Sequence, residues 1–368
     1  MSLTQVPSGM LQTTAQYYGF KNRIINGAMM VSQYNGSTAT TNTSGSYYFI
    51  DRFLTYDGSG GSHFSVGQNL GSVTPPAGFT NYIGVKTTSA VSASAANNFT
   101  LNQYIEGFNI SDLNFGTASA LPITLSFWVQ SSLTGTFGGC IQSGNGDAYY
   151  IFSYTINNAN TWQQVSISMP GSTIGTWLAG TNGRALDVRW DLGLGSNFNG
   201  TAGSWTGTAG YTVAGSQKVV GTLNATFYIT GVQLEVGSTA TSFDYSPYGT
   251  ELALCQRYCQ VISGAGVSNN YQRIGYGPGQ STNQGLAQIA LKTTMRIAPS
   301  ITTTAANTFA VFDGVTITAS TSLYVDGSCS QNLATVFWNV ASGITATRGY
   351  EFIFNNTASG VITLSSEL

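Results

Sequence analysis

LPITLSFWVQSS, residues 121–132, decides how this chain is read. Leu121, Ile123, Leu125, Phe127 and Val129 fall on one side of an extended backbone, and Thr124, Ser126, Trp128 and Gln130 on the other. Side chains of a strand alternate with a period of two, so the stretch predicts a strand with one aliphatic face. TWQQVSISMP (161–170) repeats the pattern, with Val165, Ile167 and Met169 against Trp162, Gln164, Ser166 and Ser168. ALDVRWDLGL (185–194) does so again. Leu186, Val188, Trp190 and Leu192 are expected in a core, with Asp187, Arg189 and Asp191 together on the outer face.

Composition carries this reading to the whole chain of 368 residues, a length that suits two domains. Charged residues make up 7%, against roughly 25% in an ordinary soluble domain. Apolar content is 42%, enough for a sizeable core, and 20 Tyr and 19 Phe favour strands over helices. Short strands separated by Gly, Asn and Ser clusters predict an all-β architecture. The net charge of −2 comes without a Lys/Arg run, which excludes the clustered cations a nucleic-acid backbone requires. No apolar run approaches a membrane span, so no membrane insertion is expected, and MSLTQVPSGM lacks the basic and apolar segments of a secretory signal. A surface this poor in charge is weakly protected from association, which favours a symmetric oligomer.

The parity rule breaks once. Phe227 and Ile229 are odd-numbered, whereas Val232, Leu234 and Val236 are even. A one-residue slip would turn every later side chain to the wrong face, so a β-bulge is expected at Gly231. Near the other end, NRIINGAM (22–29) reads as a strand through Ile24 and Ile25, followed by the turn-forming pair Asn26-Gly27. The expected organisation is an irregular N-terminal arm (1–20), a first β-domain (21–246), a linker with a short helix (247–260) and a second, smaller β-sandwich (261–368).

Catalytic chemistry is hard to assemble. The single histidine, His63, has no nucleophile elbow near it, and a loop or surface role is expected. Asp187 and Asp191 share a strand face but stand about 13–14 Å apart along it, beyond the spacing of a glycosidase pair. No phosphate-binding glycine loop occurs. Cys140, Cys255, Cys259 and Cys329 are too few and scattered for a disulfide framework and are expected as free thiols. Surface recognition remains. Flat aromatic rings bind the C–H faces of sugars, with polar side chains holding the hydroxyls. The sugar-binding candidates are Trp128 and Trp162, on the faces opposite their strands' aliphatic rows, and Asp187, Arg189 and Asp191 on the comparable face of theirs. The loop residues Trp177, Trp205 and Tyr211 are equally eligible. The alternative is that loops or an oligomer contact cover the tryptophans and the charges pair with one another.

The two end phrases, NRIINGAM and GVQLEVGSTATSFDY (231–245), resemble the opening and closing strands of carbohydrate-binding-module jelly rolls. QLEVGSTATSF (233–243) fits the closing form Q-L-E-x-G-x-x-A-T-x-[FY]. Ala28 stands where such modules commonly carry an acidic residue, so the calcium site they often have is not supported, and no cofactor is implied. The span from NRIINGAM through PYGTELALCQRY (247–258) also resembles phage and prophage tail-fibre-like virion proteins. KTTMRIAPSIT (292–302) resembles the C-terminal β-domains of the same fibres. The resemblance reaches all but the first twenty residues. It implies a jelly-roll β-sandwich followed by a second β-domain, in a homotrimeric, non-enzymatic virion protein. Such a protein would dock on other virion proteins through its N-terminal arm and bind host surface polysaccharide. A purely architectural fibre or decoration protein, and a polysaccharide depolymerase, are the alternatives.

Overall fold

A computed structural model describes residues 21–41, 45–265, 271–325 and 327–368. The expected N-terminal arm, 1–20, lies outside the described residues. The chain is all-β, as expected, with one α-helix among the described residues. It divides into two compact units between Pro247 and Tyr248.

The first unit is a two-sheet sandwich. Its strands, in chain order, are β1 (Thr40–Thr41), β2 (Gly45–Ile50), β3 (Phe53–Asp57), β4 (Phe64–Gln68), β5 (Ile83–Thr87), β6 (Phe99–Glu106), β7 (Ile123–Ser131), β8 (Gly135–Ser143), β9 (Tyr149–Ile156), β10 (Gln163–Met169), β11 (Arg184–Asp191), β12 (Trp205–Thr206) and β13 (Thr226–Val236). A six-stranded sheet has the order β1-β4-β5-β13-β7-β10, and a seven-stranded sheet the order β12-β9-β8-β11-β6-β3-β2. Every ladder between them is antiparallel. The core lies between the sheets, where alternation sends the apolar rows. Ile123, Leu125, Phe127 and Val129 from β7 meet Leu186, Val188 and Trp190 from β11, all fully buried.

The ends of this unit answer the parity break. The β13–β7 register shifts between Thr230 and Gln233, and Gly231 adopts φ +60°. A Cβ there would meet the Phe79 ring at 2.6 Å, so both the backbone and the packing require glycine. The bulge leaves Val232 unpaired in the β7 ladder, and a buried backbone group needs a partner. The opening phrase supplies it. Val232 N donates to Gly27 O (2.9 Å), and Asn22 Nδ2 donates to Val232 O (3.0 Å). Arg23 N then donates to Leu234 O (2.8 Å), while Asn22 Oδ1 accepts from Leu234 N (3.0 Å). The expected strand at Ile24–Ile25 is instead a turn, with Asn26 left-handed at φ +62°. It still sits on the edge of β13, beyond the point where β5 stops pairing. The closing phrase is equally local in its logic. Glu235 accepts from Thr241 N and Thr241 Oγ1 (2.8 and 2.6 Å), and Gln233 Oε1 accepts from Asp244 N (2.7 Å).

The second unit begins with helix α1 (Tyr248–Gln256). Its strands are β14 (Cys259–Ser263), β15 (Arg273–Pro278), β16 (Gln284–Ala290), β17 (Ser300–Thr303), β18 (Phe309–Phe312), β19 (Ile317–Tyr324), β20 (Leu333–Val340), β21 (Gly349–Phe354) and β22 (Val361–Ser365). Six of them close into a barrel, β15-β16-β20-β19-β18-β21, where two open layers were expected. Closure comes from β15 pairing with β21 and removes the sheet edges. Trp338, Phe309, Phe352 and Phe354 fill the core. The segment expected as a linker, 247–260, supplies α1 and the start of β14, which pairs with the final strand β22.

Candidate functional site

The outer face of the seven-stranded sheet gathers half of the residues singled out from sequence. Asp187, Arg189 and Asp191 alternate with the core row of β11 and therefore share that face. Register then determines their neighbours. Asp187 stands between Tyr104 on β6 and Gln142 on β8, and Gln142 in turn stands opposite Tyr149 on β9. Arg189 stands between Asn102 and Cys140. Arg184 joins them because the β11–β6 register shifts between Arg184 and Leu186, which overrides simple parity.

The charges, expected on an outer face, are buried there. Asp187 is fully buried and accepts Arg184 Nε at 2.5 Å, Arg184 Nη2, and Arg189 Nη2 at 2.9 Å. The guanidinium of Arg184 lies 3.9 Å over the Tyr104 ring, and that of Arg189 lies 4.7 Å from the Tyr211 ring centre. Burial raises the Tyr104 hydroxyl above its ordinary value, with Arg184 opposing. Burial likewise pushes the Cys140 thiol far up, so it stays protonated. Asn102 Oδ1, Gln142 Oε1 and Arg189 Nε are buried with no hydrogen-bond partner.

Asp191, at the far end of the strand, is complete. Its Oδ1 accepts from Gly193 N and Leu194 N, each at 2.7 Å. Its Oδ2 accepts from Thr212 Oγ1 and Ser216 Oγ, each at 2.6 Å, and from Lys218 Nζ at 3.1 Å. This carboxylate pins the loop 212–218 over the end of the face. Tyr211 belongs to the same cover, packed on Tyr149 and Phe198.

The tryptophans lie elsewhere. Trp128 belongs to β7 of the six-stranded sheet, half-buried opposite Thr230 and Gln164, and Trp162 immediately precedes β10 of the same sheet. Trp162 packs against Tyr82 and Tyr228, and its Nε1 donates to Thr74 O (2.9 Å). Trp177 and Trp205 pack edge to face with each other and with Phe115. Their indole N–H groups donate to Ile174 O (3.0 Å) and Pro170 O (2.7 Å). These two rings brace loops against the sandwich. Tyr104, Arg184, Asn102, Gln142 and Tyr149 were missed from sequence. The alternation of Phe99, Leu101 and Ile105 in FTLNQYIE was the available signal for Asn102 and Tyr104.

His63 is held in a loop clamp. Its Nδ1 donates to Asp57 Oδ2 (2.8 Å), and Ser59 Oγ lies 3.1 Å from the same nitrogen. A hydrolytic relay needs the serine and the acid on opposite ring nitrogens. Among the described residues no three of His, Cys, Asp or Glu cluster to hold a metal ion, and no helix is long and apolar enough to cross a membrane. None of the four cysteines forms a disulfide among the described residues.

No family model matches the chain, and no curated protein matches it. Solved structures with likeness include the enzymatically active domain of tailspike protein 4 from bacteriophage CBA120, at 10% identity and a TM-score of 0.33, covering 59% of this chain. The match spans 22% of that tailspike domain's length. A putative sugar binding protein from Bacteroides thetaiotaomicron matches at 11% identity and a TM-score of 0.31, covering 59% of this chain and 100% of that one. A family 11 carbohydrate-binding module from Clostridium thermocellum, solved with a β-1,3-1,4-mixed-linked tetrasaccharide, matches at 13% identity and a TM-score of 0.26, covering 54% and 100%. Similarity at this level bears on neither ligand nor activity.

Proposed function

We propose that the chain is a non-enzymatic phage virion adhesin whose sandwich binds host surface glycan on the outer face of the seven-stranded sheet. The observation that carries the reading is the face itself. Tyrosine rings stand beside a guanidinium–carboxylate row, with three buried polar atoms lacking partners. An unpaired buried polar group costs about 1–3 kcal/mol, which sugar hydroxyls would relieve. Tyr104, only half-buried, supplies flat area for sugar C–H groups. Asp187 and Asp191, the carboxylates of β11, are occupied by hydrogen bonds, which supports binding over hydrolysis. The virion setting rests on the resemblance of the opening phrase and of PYGTELALCQRY to tail-fibre-like proteins. In that setting the protein is a homotrimer, three copies raise avidity without new contacts, and the arm at 1–20 docks on other virion proteins. An architectural fibre or decoration protein is the second reading, favoured by the mutual pairing of Arg184, Asp187 and Arg189.

A glycan array probed with the whole chain, beside a reducing-end assay on host polysaccharide, tests this. Array binding without new reducing ends is expected. New reducing ends would make it a depolymerase, and no binding to any host envelope fraction would leave the architectural reading.

A further inference from the structure

We infer that the saccharide taken by this face is acidic, with a carboxylate or phosphate group seated against Arg184 and Arg189. The inference rests on the glycan reading above and adds its charge class. It begins from an imbalance. Two guanidiniums on β11 share a single carboxylate, Asp187. The neighbouring charges do not correct this. Glu106 stands opposite Arg184 on β6, but Arg52, bonded to Tyr104 O, adds a further positive charge, so three guanidiniums stand among two carboxylates, and Asp191 is already paired with Lys218. Asp51, next to Arg52, binds Gln33 N and Nε2, and burial raises its carboxyl above the ordinary value.

The donors show the same surplus. A guanidinium offers five N–H groups. Arg184 directs Nε and Nη2 to Asp187, and Arg189 directs only Nη2 there. Arg189 Nε is buried without a partner. Arg189 keeps only 10% of its side chain exposed, so solvent cannot satisfy most of it. A buried charge without a full partner is costly, and an oxyanion matches the arginine fork in shape as well as charge. The Tyr104 and Tyr211 rings hold the guanidinium planes in place before any ligand arrives. Asn102 Oδ1 and Gln142 Oε1 flank this pair as acceptors, the complement of hydroxyl donors. An acidic sugar brings both kinds of group at once, and a neutral one brings only the hydroxyls.

The test uses the full chain and matched pairs of oligosaccharides, titrated by calorimetry. The pairs are oligogalacturonate and its methyl ester, sialyllactose and lactose, and a phosphorylated mannose oligosaccharide and its dephosphorylated form. The expected result is that at least one acidic member binds about tenfold or more tighter than its neutral partner, the scale of a charge-assisted hydrogen bond. That preference should shrink as salt rises from about 0.05 to 0.5 M. Which pair responds tells carboxylate from phosphate. Arg184→Gln should abolish the preference; because each comparison is made within a matched pair, any general loss of affinity cancels, and circular dichroism checks that the variant is folded. Equal affinity within every pair, or a preference that survives both salt and Arg184→Gln, overturns the acidic inference and leaves glycan binding standing. Binding to no saccharide, on the array or in these titrations, overturns both.

Discussion

The two outer faces of the sandwich are built from the same kinds of residue and finished differently. On the six-stranded sheet, the loop 69–82 lies over the aromatic row and closes its polar atoms. Tyr82 OH donates to Leu70 O (2.8 Å) and accepts from Val73 N (2.9 Å), Trp162 donates to Thr74 O, and Thr230 Oγ1 donates to Asn81 O (2.6 Å). One buried acceptor there, Gln130 Oε1, is left without a partner. On the seven-stranded sheet, loop 212–218 completes Asp191 and stops. Asn102, Gln142 and Arg189 beyond it each keep an unpartnered atom. Buried polar groups are nearly always paired within a protein, and the unfinished half of one face is where we seat the proposed ligand. Aromatic content alone does not tell the two faces apart, because both have it.

Four substitutions, the last two read as a pair, test the contrast at decreasing amplitude. Asp191→Ala should be the most damaging. It removes the acceptor for two backbone N–H groups, two hydroxyls and Lys218 in a fully buried setting, at a cost of about 3–5 kcal/mol. Chemical denaturation measures this directly. A loss under about 1 kcal/mol would mean that loop 212–218 is not anchored and that both faces are equally open. Gly231→Ala comes next, at about 1–3 kcal/mol, because it forces a side chain into φ +60° and against Phe79. The displaced Phe79 belongs to the loop over the six-stranded face, so protease cleavage should rise within 69–82 and not within 212–218. Third, Tyr104→Ala should weaken glycan binding about tenfold, or ~1.4 kcal/mol, with little change in melting temperature. Trp128→Ala on the opposite face should shift binding less than about twofold. The reverse ranking would move the site to the six-stranded sheet.

Much of this contrast was legible before any coordinates. Parity placed Ile123, Leu125, Phe127 and Val129 in the core, along with Leu186, Val188 and Trp190, and all are buried. It also put Asp187, Arg189 and Asp191 on one outer face, and the Phe227-to-Val232 slip located the bulge at Gly231. Those features depend on spacing along one strand. What escaped depends on spacing between strands. Nothing near residue 104 or 142 announces that β6 and β8 flank β11, so Tyr104, Asn102 and Gln142 could not be grouped with Arg189. Arg184 was hidden by its register shift, since parity assigns it to the core side with Leu186. The burial of the charges, the turn at Ile24–Ile25 and the closure of the barrel are also long-range outcomes, set by loop 212–218, by the Val232 bulge and by β15 meeting β21.

The smallest expected effect concerns the rim of the same face. Asp147 lies in the β8–β9 turn, five residues beyond Gln142, and braces it to a second loop. Its carboxylate accepts from Thr176 N (3.0 and 2.9 Å), Ser143 Oγ (2.7 Å) and Asn145 Nδ2 (3.0 Å). These bonds, that from the Thr176 N–H first, hold its carboxyl well below the usual carboxylate range. A carboxyl depressed in the folded state adds stability that is fully present above the unfolded value of about 3.9 and is lost as pH falls through the folded one. Asp147→Asn should therefore lower stability modestly at neutral pH, where the contribution is fully present, and flatten the acid limb of the stability-against-pH curve. The loop opposite Gln142 would still be placed at neutral pH, so glycan binding there should persist. If Asp147→Asn removed binding at neutral pH without lowering stability, Asp147 would be a ligand contact, and the unfinished face would extend past Gln142 into the turn.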